Sequence, residues 1–316
     1  MNILVTGANG QLGKCIRDQV KLLKETDNTY IFSDVVGSED ADTEYLDIVD
    51  EETVKKFVKN SHINIIINCA AYTNVDKAEN DYETAEAINA IAPRNLAEAA
   101  LSVGAKLIHI STDYVFNGQG FMPYTEERMT LPTSVYGMTK RMGEEFIQES
   151  GCKYLIFRTA WLYSEYGNNF LKTMMKLFET KDEINVVNDQ IGTPTYAGSL
   201  AQLIVAICER MTPLEGKDTI PLLENGIYHF TDEGVASWYD FAYEIRECWQ
   251  HKVLGLCGIN GVTTKEYASK TKRPYYSVLD KTKVKRDFNG LFSPTNWRTY
   301  VNLVVEKLLN NKSVKN

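Results

Sequence analysis

Short apolar segments alternate with amphipathic segments along the first half of the chain. The apolar runs at 3–5, 30–32, 63–67 and 107–110 are too short for helices, and they are rich in β-branched or aromatic residues. Such runs are typical of strands that are buried on both faces. Between them, apolar residues recur at helical spacing. The alternation predicts an α/β fold with a Rossmann-type, doubly wound parallel sheet.

The second half of the chain has a less regular pattern from Tyr166 onward, because glycine- and proline-containing connections interrupt it. Helices are predicted over 169–179, 200–209 and 238–250. Ser237 is the start signal of the last of these helices. We therefore expect a Rossmann domain over residues 1–165 and a smaller domain over 166–316, with 185–210 returning to the first domain.

The charge and the cysteine pattern narrow the class of protein. The formal net charge of −8 and the isoelectric point near 5.2 argue against non-specific binding to nucleic acid or to an acidic membrane. No apolar stretch reaches the ~18–20 residues of a membrane span, and the first strand begins too early for a signal peptide. The six cysteines have neither C-x-x-C nor zinc-type spacing. These features predict a cytoplasmic protein without disulfides.

Gly7, Gly10 and Gly13 connect the first apolar run to the first amphipathic segment. In a dinucleotide-binding turn, the first glycine permits the tight turn, the second lets the backbone approach a pyrophosphate, and the third lets helix and strand pack closely. The phosphates then lie on the helix N-terminus, where free N–H groups favour negative charge. A plain glycine turn is the alternative, because the spacing is G-x-x-G-x-x-G rather than G-x-G-x-x-G.

Two acidic positions bear on the nucleotide. Asp34 ends the second predicted strand, about 20 residues beyond Gly13, where a carboxylate hydrogen-bonds the adenosine ribose and repels a 2′-phosphate. No arginine follows it, so the sequence leans slightly toward NADH over NADPH; a loop or helix-start aspartate is the alternative. Asp47 and Ile48 precede a helix predicted from Glu51, and Asp47 either borders the adenine or starts that helix.

Small and polar residues follow the apolar runs at the ends of two further predicted strands. Ala70 and Ala71 let a flat cofactor lie against the backbone, and Tyr72 opens the next loop. Thr112 ends the following strand, at the edge where open α/β sheets bind their ligands. His109 lies within that strand and is interpreted as a packed histidine.

Tyr136 and Lys140 are four residues apart in a helix predicted after the loop at 117–134, so they point the same way. A nearby cation lowers the pKa of a phenol and makes it a more responsive acid toward a ketone oxygen. Thr112 then stabilises the developing oxyanion. An amphipathic helix with a surface lysine is the alternative, but the glycine turn and the strand end favour catalysis.

Three larger side chains have two interpretations each. Trp161 is either a flat apolar wall for a sugar or base, or a core residue. Arg158 is either a phosphate clamp or an ion-pair partner. Arg273 lies in a basic, irregular segment, where its planar group either binds a diphosphate bidentately or is solvated. An anionic substrate needs such local cations, because the chain as a whole is negative.

Together these motifs resemble the extended short-chain dehydrogenase/reductase family. The resemblance is carried by the glycine triplet and by segments at 68–71, 73–79, 111–116, 136–140, 158–163, 167–170, 189–195 and 273–279. It therefore covers nearly the whole chain. It implies that Thr112, Tyr136 and Lys140 are the catalytic set and that the smaller C-terminal domain binds the substrate.

The resemblance also completes the expected binding sites. The expected cofactor-binding residues are Gly7, Asn9, Gly10, Gln11, Leu12, Gly13, Asp34, Asp47, Ile48, Ala70, Ala71, Tyr72, Tyr136 and Lys140. The expected substrate-binding residues are Val75, Thr112, Asp113, Tyr114, Trp161, Asn169 and Arg273.

The reaction implied by the resemblance is reduction of the C4 ketone of dTDP-4-dehydro-L-rhamnose to dTDP-L-rhamnose by NADPH or NADH, for polysaccharide synthesis. The alternatives are another nucleotide-sugar reductase or epimerase, or a non-catalytic regulatory subunit of methionine adenosyltransferase. Some family members hold Mg²⁺ at a dimer interface, but Cys15 stands at one of the glutamate positions and is a poor ligand for a hard cation. We therefore expect no metal, and either a monomer or a homodimer.

Overall fold

The computed structural model describes residues 1–37, 42–211, 225–250, 257–268 and 271–313. Strands and helices alternate through the first half of the chain. In order they are β1 (Asn2–Thr6), α1 (Gln11–Leu22), β2 (Thr29–Asp34), β3 (Thr43–Tyr45), α2 (Glu51–Asn60), β4 (Ile63–Asn68), α3 (Val75–Ala78), α4 (Tyr82–Glu86), α5 (Ala92–Val103), β5 (Lys106–Thr112), α6 (Val135–Glu149) and β6 (Lys153–Thr159).

Shorter strands and longer connections make up the rest of the described chain. The elements are β7 (Leu162–Tyr163), α7 (Phe170–Thr180), β8 (Glu183–Val187), β9 (Ile191–Gly192), β10 (Thr195–Tyr196), α8 (Ala197–Met211), β11 (Gly226–His229), β12 (Ala236–Ser237), α9 (Trp238–Gln250), β13 (Gly258–Val262), α10 (Thr264–Tyr267), α11 (Thr282–Asp287) and α12 (Trp297–Ser313). Among the described helices, none is long and apolar enough to cross a membrane.

The central sheet has seven strands in the order β11-β6-β5-β4-β1-β2-β3. Every pairing in it is parallel. The strand order reverses between β1 and β4, which opens a crevice at the carboxyl ends of those strands. The predicted Rossmann-type parallel sheet is confirmed.

Both faces of the sheet are covered, as the apolar runs predicted. Along β1, Ile3 and Val5 pack into a cluster with residues of α1, α8 and α11. Leu4 points the other way, into a cluster with residues of α2, α5 and α6. Successive side chains of a strand point to opposite faces of the sheet, so one strand contributes to two separate cores.

A third cluster lies in the second half of the chain. It joins aromatic and aliphatic residues of α7, α9 and α12, including Phe178, Phe241, Trp249 and Trp297. Helix α8 instead packs on α1 in the sheet's own core. The division of the chain at residue 165 stays a prediction.

Helix boundaries mostly follow their local start signals. Asn169 caps α7 by accepting from the Lys172 N–H at 3.0 Å, and Ser237 accepts from the Asp240 N–H before α9. The predicted helix over 200–209 is longer and runs from Ala197 to Met211.

Pro93 stands within the continuous helical run over residues 82–103. The structure has a π-helical segment at Ala87–Ile91, followed by α5 with Pro93 in its first turn. The side-chain amide of Asn89 points away from the helix here. It accepts a hydrogen bond from the backbone N–H of Tyr72 and donates one to the carbonyl oxygen of the same residue. A tertiary contact therefore widens the turn, while Pro93 is tolerated where its missing N–H is not needed.

A buried ion pair joins α6 to β6. The Glu144 carboxylate accepts from Arg158 Nε at 2.9 Å and from Nη2 at 2.6 Å, and the two side chains are only 2% and 4% exposed. Arg158 is thus an ion-pair partner, and its interpretation as a phosphate clamp is wrong. The two charges neutralise each other inside the protein, which is the condition for burying them.

Glu144→Gln leaves the Arg158 guanidinium buried without a counter-charge. We expect the free energy of unfolding, measured by urea denaturation, to fall by roughly 3–5 kcal/mol. The matched control is Glu145→Gln in the exposed pair with Arg141 at 2.7 Å, which we expect to cost at most about 0.5 kcal/mol. Equal losses in both variants would contradict the importance of burial.

Candidate functional site

The glycine turn is held against the end of β4. Gly7 has a φ of +65°, and a Cβ built on it would lie 2.5 Å from the backbone nitrogen of Ala70. A Cβ on Gly13 would lie 2.5 Å from the carbonyl oxygen of Gly7. A Cβ on Gly10 would meet that oxygen only at 3.2 Å. Gly7 and Gly13 are therefore demanded by internal packing, whereas the internal demand on Gly10 is weaker.

The N-terminus of α1 offers backbone donors at this turn. Gly10 is the N-cap, no side chain caps the helix, and its first turn carries no acidic residue. The side chain of Leu12 is buried in the core, so this residue presents only its backbone to the crevice. Uncapped N–H groups beside a glycine cradle fit the diphosphate of a dinucleotide.

Asp34 holds the glycine turn from the neighbouring strand. Its carboxylate accepts from the backbone N–H of Asn9 at 3.0 Å and from that of Val36 at 3.3 Å. Nearby, Arg17 of α1 lies over the Phe32 ring at 3.9 Å and donates to Thr43, whose hydroxyl reaches Asn9. No arginine directly follows β2 along the sequence, and this one comes from α1 instead.

Asp47 and Ile48 lie directly before α2, which begins at Glu51 as predicted. Asp47 accepts from the Val49 N–H at 2.9 Å, whereas the residue that caps the helix is Asp50. Ile48 is buried, and its carbonyl accepts from Asn95. Asp47 therefore stabilises the turn before the helix, and its contact with adenine stays a prediction.

Thr112, Tyr114 and Tyr136 come together beyond the end of β5. The Thr112 hydroxyl lies close enough to the Tyr136 phenol to act on its pKa, and the rings of Tyr114 and Tyr136 meet edge to face with centroids 5.4 Å apart. Gly137 permits this approach, since a Cβ there would clash with the carbonyl oxygen of Tyr114. Two of the three expected catalytic residues are thus neighbours in the structure.

Asp113 is buried next to this group. Its carboxylate accepts from the Thr112 hydroxyl at 2.9 Å. Burial raises the pKa of Asp113 to about 7, although the Thr112 hydrogen bond opposes the rise. The acid therefore acts on Thr112, the residue expected to contact the ketone.

Burial also governs the ionisation of Tyr136 and Lys140. It raises the pKa of the Tyr136 phenol above its ordinary value, with the Thr112 hydroxyl opposing the rise. It lowers the pKa of Lys140 to about 8, against the attraction of Glu144. The expected lowering of the phenol pKa by Lys140 is therefore outweighed in this structure.

The side-chain amine of Lys140 contacts strand β5. Its Nζ lies 2.6 Å from the carbonyl oxygen of Ile110 and 3.2 Å from Nε2 of His109. His109 is fully buried, as predicted, and its Nδ1 lies 3.1 Å from the amide nitrogen of Asn68. The sequence reasoning missed this connection. Its signal was the presence of polar residues within strands buried on both faces, which need hydrogen-bond partners.

Trp161 is held in an unusual conformation. Its φ is +47°, which is strained for a tryptophan. Its ring stacks on Trp238 with centroids 3.6 Å apart and planes 9° from parallel. One face of the ring is therefore covered, and Trp238 is a further aromatic residue that the sequence reasoning did not single out.

Arg273 contacts two other expected site regions. It donates to Asp76 at 2.8 Å, next to Val75 at the start of α3, and it lies near enough to the Tyr114 phenol to lower its pKa against the effect of burial. Arg273 is paired with a side chain at the surface, since the two side chains are 31% and 54% exposed, so the choice between a diphosphate ligand and a solvated loop residue stays open. Its contact with a diphosphate stays a prediction.

The remaining expected contacts lie on both sides of the glycine turn. Asn169 donates to Gln11 at 2.9 Å, so its amide joins α7 to the start of α1. Tyr72 follows Ala71 and donates from its hydroxyl to Asp81. Cys15 lies on the buried face of α1, in the core. In the described part of the chain, no His, Cys, Asp and Glu side chains are grouped to hold a metal ion.

The doubly wound sheet carries a glycine cradle at its switch point and a Thr–Tyr–Lys group at the same edge. This combination is typical of Rossmann-fold reductases and epimerases. The model of the RmlD substrate binding domain family matches residues 1–310. The chain belongs to that family.

Individual relatives match over almost the full length. A dTDP-4-dehydrorhamnose reductase of Aggregatibacter actinomycetemcomitans is 39% identical over 94% of this chain and 95% of its own. The crystal structure of such a reductase from Clostridium acetobutylicum has a TM-score of 0.83 and 40% identity, covering 98% and 100% of the two chains. One from Bacillus anthracis, in complex with NADP, has a TM-score of 0.81 and 36% identity, covering 97% and 99%.

Gly7→Ala tests the close contact with Ala70. The variant meets both an unfavourable φ and a steric overlap, so we expect it to lose about 3 kcal/mol or more of unfolding free energy. Gly104→Ala is the matched control, because Gly104 has a φ of +71° but no atom near a built Cβ. We expect the control to lose about 1–2 kcal/mol. Urea denaturation that gave similar losses would exclude a role for the contact.

Proposed function

We propose that this protein reduces the C4 ketone of dTDP-4-dehydro-L-rhamnose to dTDP-L-rhamnose with NADH or NADPH. The observation that carries the proposal is the meeting of Thr112 and Tyr136 beside the glycine cradle, at the carboxyl edge of the sheet. Membership of the RmlD family and relatives with that reductase activity in their names support the choice of substrate.

Side chains of the protein bind and protonate the ketone oxygen. A bound nicotinamide supplies the hydride that the carbonyl carbon receives. The Thr112 hydroxyl turns its one hydrogen from Asp113 to the carbonyl oxygen when the substrate binds. The Tyr136 phenol also hydrogen-bonds this oxygen and gives it a proton, so that hydride plus proton yield the alcohol. A positioned oxyanion donor such as Thr112 contributes about 3–4 kcal/mol to the barrier reduction. Lys140 lies one turn further along α6 and exchanges protons with this site.

The substrate is anionic, and the chain carries a net charge of −8. Arg273 is placed to meet the diphosphate, with Val75 and Tyr114 beside it. Asp76 holds the guanidinium until the substrate replaces it. The stacked Trp161–Trp238 pair offers an aromatic surface to the sugar or the thymine. Asn169 acts on this site through Gln11.

The nicotinamide cofactor is proposed from the glycine cradle and the uncapped start of α1. Asp34 favours NADH, because its carboxylate repels a 2′-phosphate. Arg17 opposes this preference by placing a cation near the same strand end. We keep the slight preference for NADH. The cytoplasmic location and the choice between monomer and homodimer stay predictions.

Purified protein mixed with dTDP-4-dehydro-L-rhamnose should oxidise NADH and NADPH, followed by absorbance, with a modestly higher kcat/KM for NADH. Product should form in equal amount to the cofactor consumed. An epimerase would change the sugar without net oxidation. Cofactor binding with no turnover on any dehydrosugar would favour the regulatory-subunit alternative and exclude the reductase.

Tyr136→Phe removes the proton donor and keeps the ring. We expect kcat to fall by roughly 10²–10⁴-fold while cofactor affinity, measured by fluorescence titration, stays within about twofold. Thr112→Val should slow the same step by roughly 10–10³-fold. Tyr267→Phe is the matched control, since Tyr267 is exposed, and it should be fully active. Normal turnover of Tyr136→Phe would remove the phenol from the mechanism.

A further inference from the structure

Four polar side chains form one row across neighbouring strands of the sheet. Ser33, Thr6, Asn68 and His109 are register neighbours on four adjacent strands, β2, β1, β4 and β5. All four are buried. The row ends at Lys140, which lies against His109. Buried polar groups of this kind must satisfy one another, so their donors and acceptors are interdependent.

The orientation of the Asn68 amide is set by the backbone. Its Oδ1 accepts from the Ala70 N–H at 3.1 Å and from the Thr6 hydroxyl at 2.8 Å. A backbone N–H cannot accept a hydrogen bond, so the amide oxygen must face Ala70. The amide NH₂ group therefore faces Nδ1 of His109, 3.1 Å away.

This orientation selects one tautomer of His109. Because Nδ1 accepts from Asn68, it carries no hydrogen, and the single proton of the neutral imidazole is on Nε2. Nε2–H then points at Nζ of Lys140, 3.2 Å away. An ammonium group has three donors and no acceptor, so it cannot receive this bond. A neutral amine has a lone pair that can.

We propose that His109 is a positioning residue that donates from Nε2–H to the neutral amine of Lys140, with the tautomer set by Asn68 and the Ala70 N–H. Lys140 can then carry a proton only when His109 changes tautomer and the Asn68 amide loses its bond to Ala70. The proton content of the lysine is thus tied to a hydrogen-bond row inside the sheet. The consequence for catalysis rests on the proposed function.

The other groups that face Lys140 are compatible with an amine. Glu144 on the same helix attracts a cation, but it is committed to Arg158 on β6. Cys69 follows β4 and is half-buried, and desolvation raises the pKa of its thiol. Tyr136 lies one turn earlier on α6, with its phenol pKa also raised. Burial lowers the pKa of His109 well below its ordinary value, so the ring is neutral.

The tautomer is directly observable in the intact protein. In protein labelled with ¹⁵N-histidine, long-range ¹H–¹⁵N spectra distinguish a protonated from an unprotonated ring nitrogen. The chain has four histidines, and His109→Gln identifies the signals of His109 by their loss. We expect a neutral ring with Nε2 protonated and Nδ1 unprotonated at pH 9, above the pKa of Lys140, which lies at about 8. An Nδ1–H tautomer or an imidazolium would overturn the proposal.

Asn68→Asp reverses the polarity of the row at nearly constant shape. A carboxylate accepts from Ala70, from Thr6 and from an Nδ1–H of His109, so Nε2 becomes an acceptor for a Lys140 ammonium. We expect the histidine spectrum to show the Nδ1–H tautomer, and the pKa of Lys140, followed by ¹³C-lysine spectra, to rise by about one unit or more. Thr6→Val is the matched control, because Ala70 alone still orients the amide, and its tautomer should be that of the wild type.

The pH profile links the row to turnover. If the reaction needs the Lys140 ammonium, kcat falls as pH rises through the pKa of Lys140, which lies at about 8 in the wild type. A raised pKa in Asn68→Asp moves this fall to higher pH, whereas Thr6→Val leaves it in place. An unmoved limb together with a changed tautomer would overturn the coupling. If no dehydrosugar is reduced while the spectra are as expected, the proposed function fails and the tautomer assignment stands; if Asn68→Asp does not fold, the wild-type spectrum alone decides the assignment.

Discussion

The contact of the Gly7 backbone with Cys69 and Ala70 sets the geometry on which the candidate site depends. Without side-chain bulk at Gly7, the turn after β1 lies directly against the end of β4, at the point where the strand order reverses. The same Ala70 supplies the N–H that orients Asn68. One close approach of two backbones therefore shapes both the dinucleotide cradle and the polar row that leads to Lys140.

The site is built where the fold buries polar groups. Asp113, Lys140 and Tyr136 all have pKa values moved toward their neutral forms, in each case chiefly by burial. Burial removes the water that would stabilise the charged form of each group, so each neutral form is favoured. Full charges inside the protein are kept where they are paired, as in Glu144 with Arg158.

Local signals in the sequence were enough for much of the fold. The apolar runs at β1, β2, β4 and β5 could be recognised as strands, because a parallel strand that is buried on both faces is almost continuously apolar. The π-helical segment at Ala87–Ile91 was not predictable, since Asn89 leaves the helix only to bond the distant Tyr72. The two interpretations of Arg158 were likewise undecidable from the sequence, because its partner lies on another element.

By itself, the sequence determined the alternation of strands and helices, the glycine turn after β1, and the placement of Thr112 at a strand end and of Tyr136 and Lys140 one turn apart. These features depend on residues that are near one another along the chain. Only the tertiary structure decided that Arg17 lies against the Phe32 ring on β2, the strand that ends at Asp34. It likewise decided that Trp161 stacks on Trp238 and that His109 contacts Lys140. Those pairings follow from strand register and helix packing, which bring together groups that are distant along the chain and select their hydrogen-bond partners.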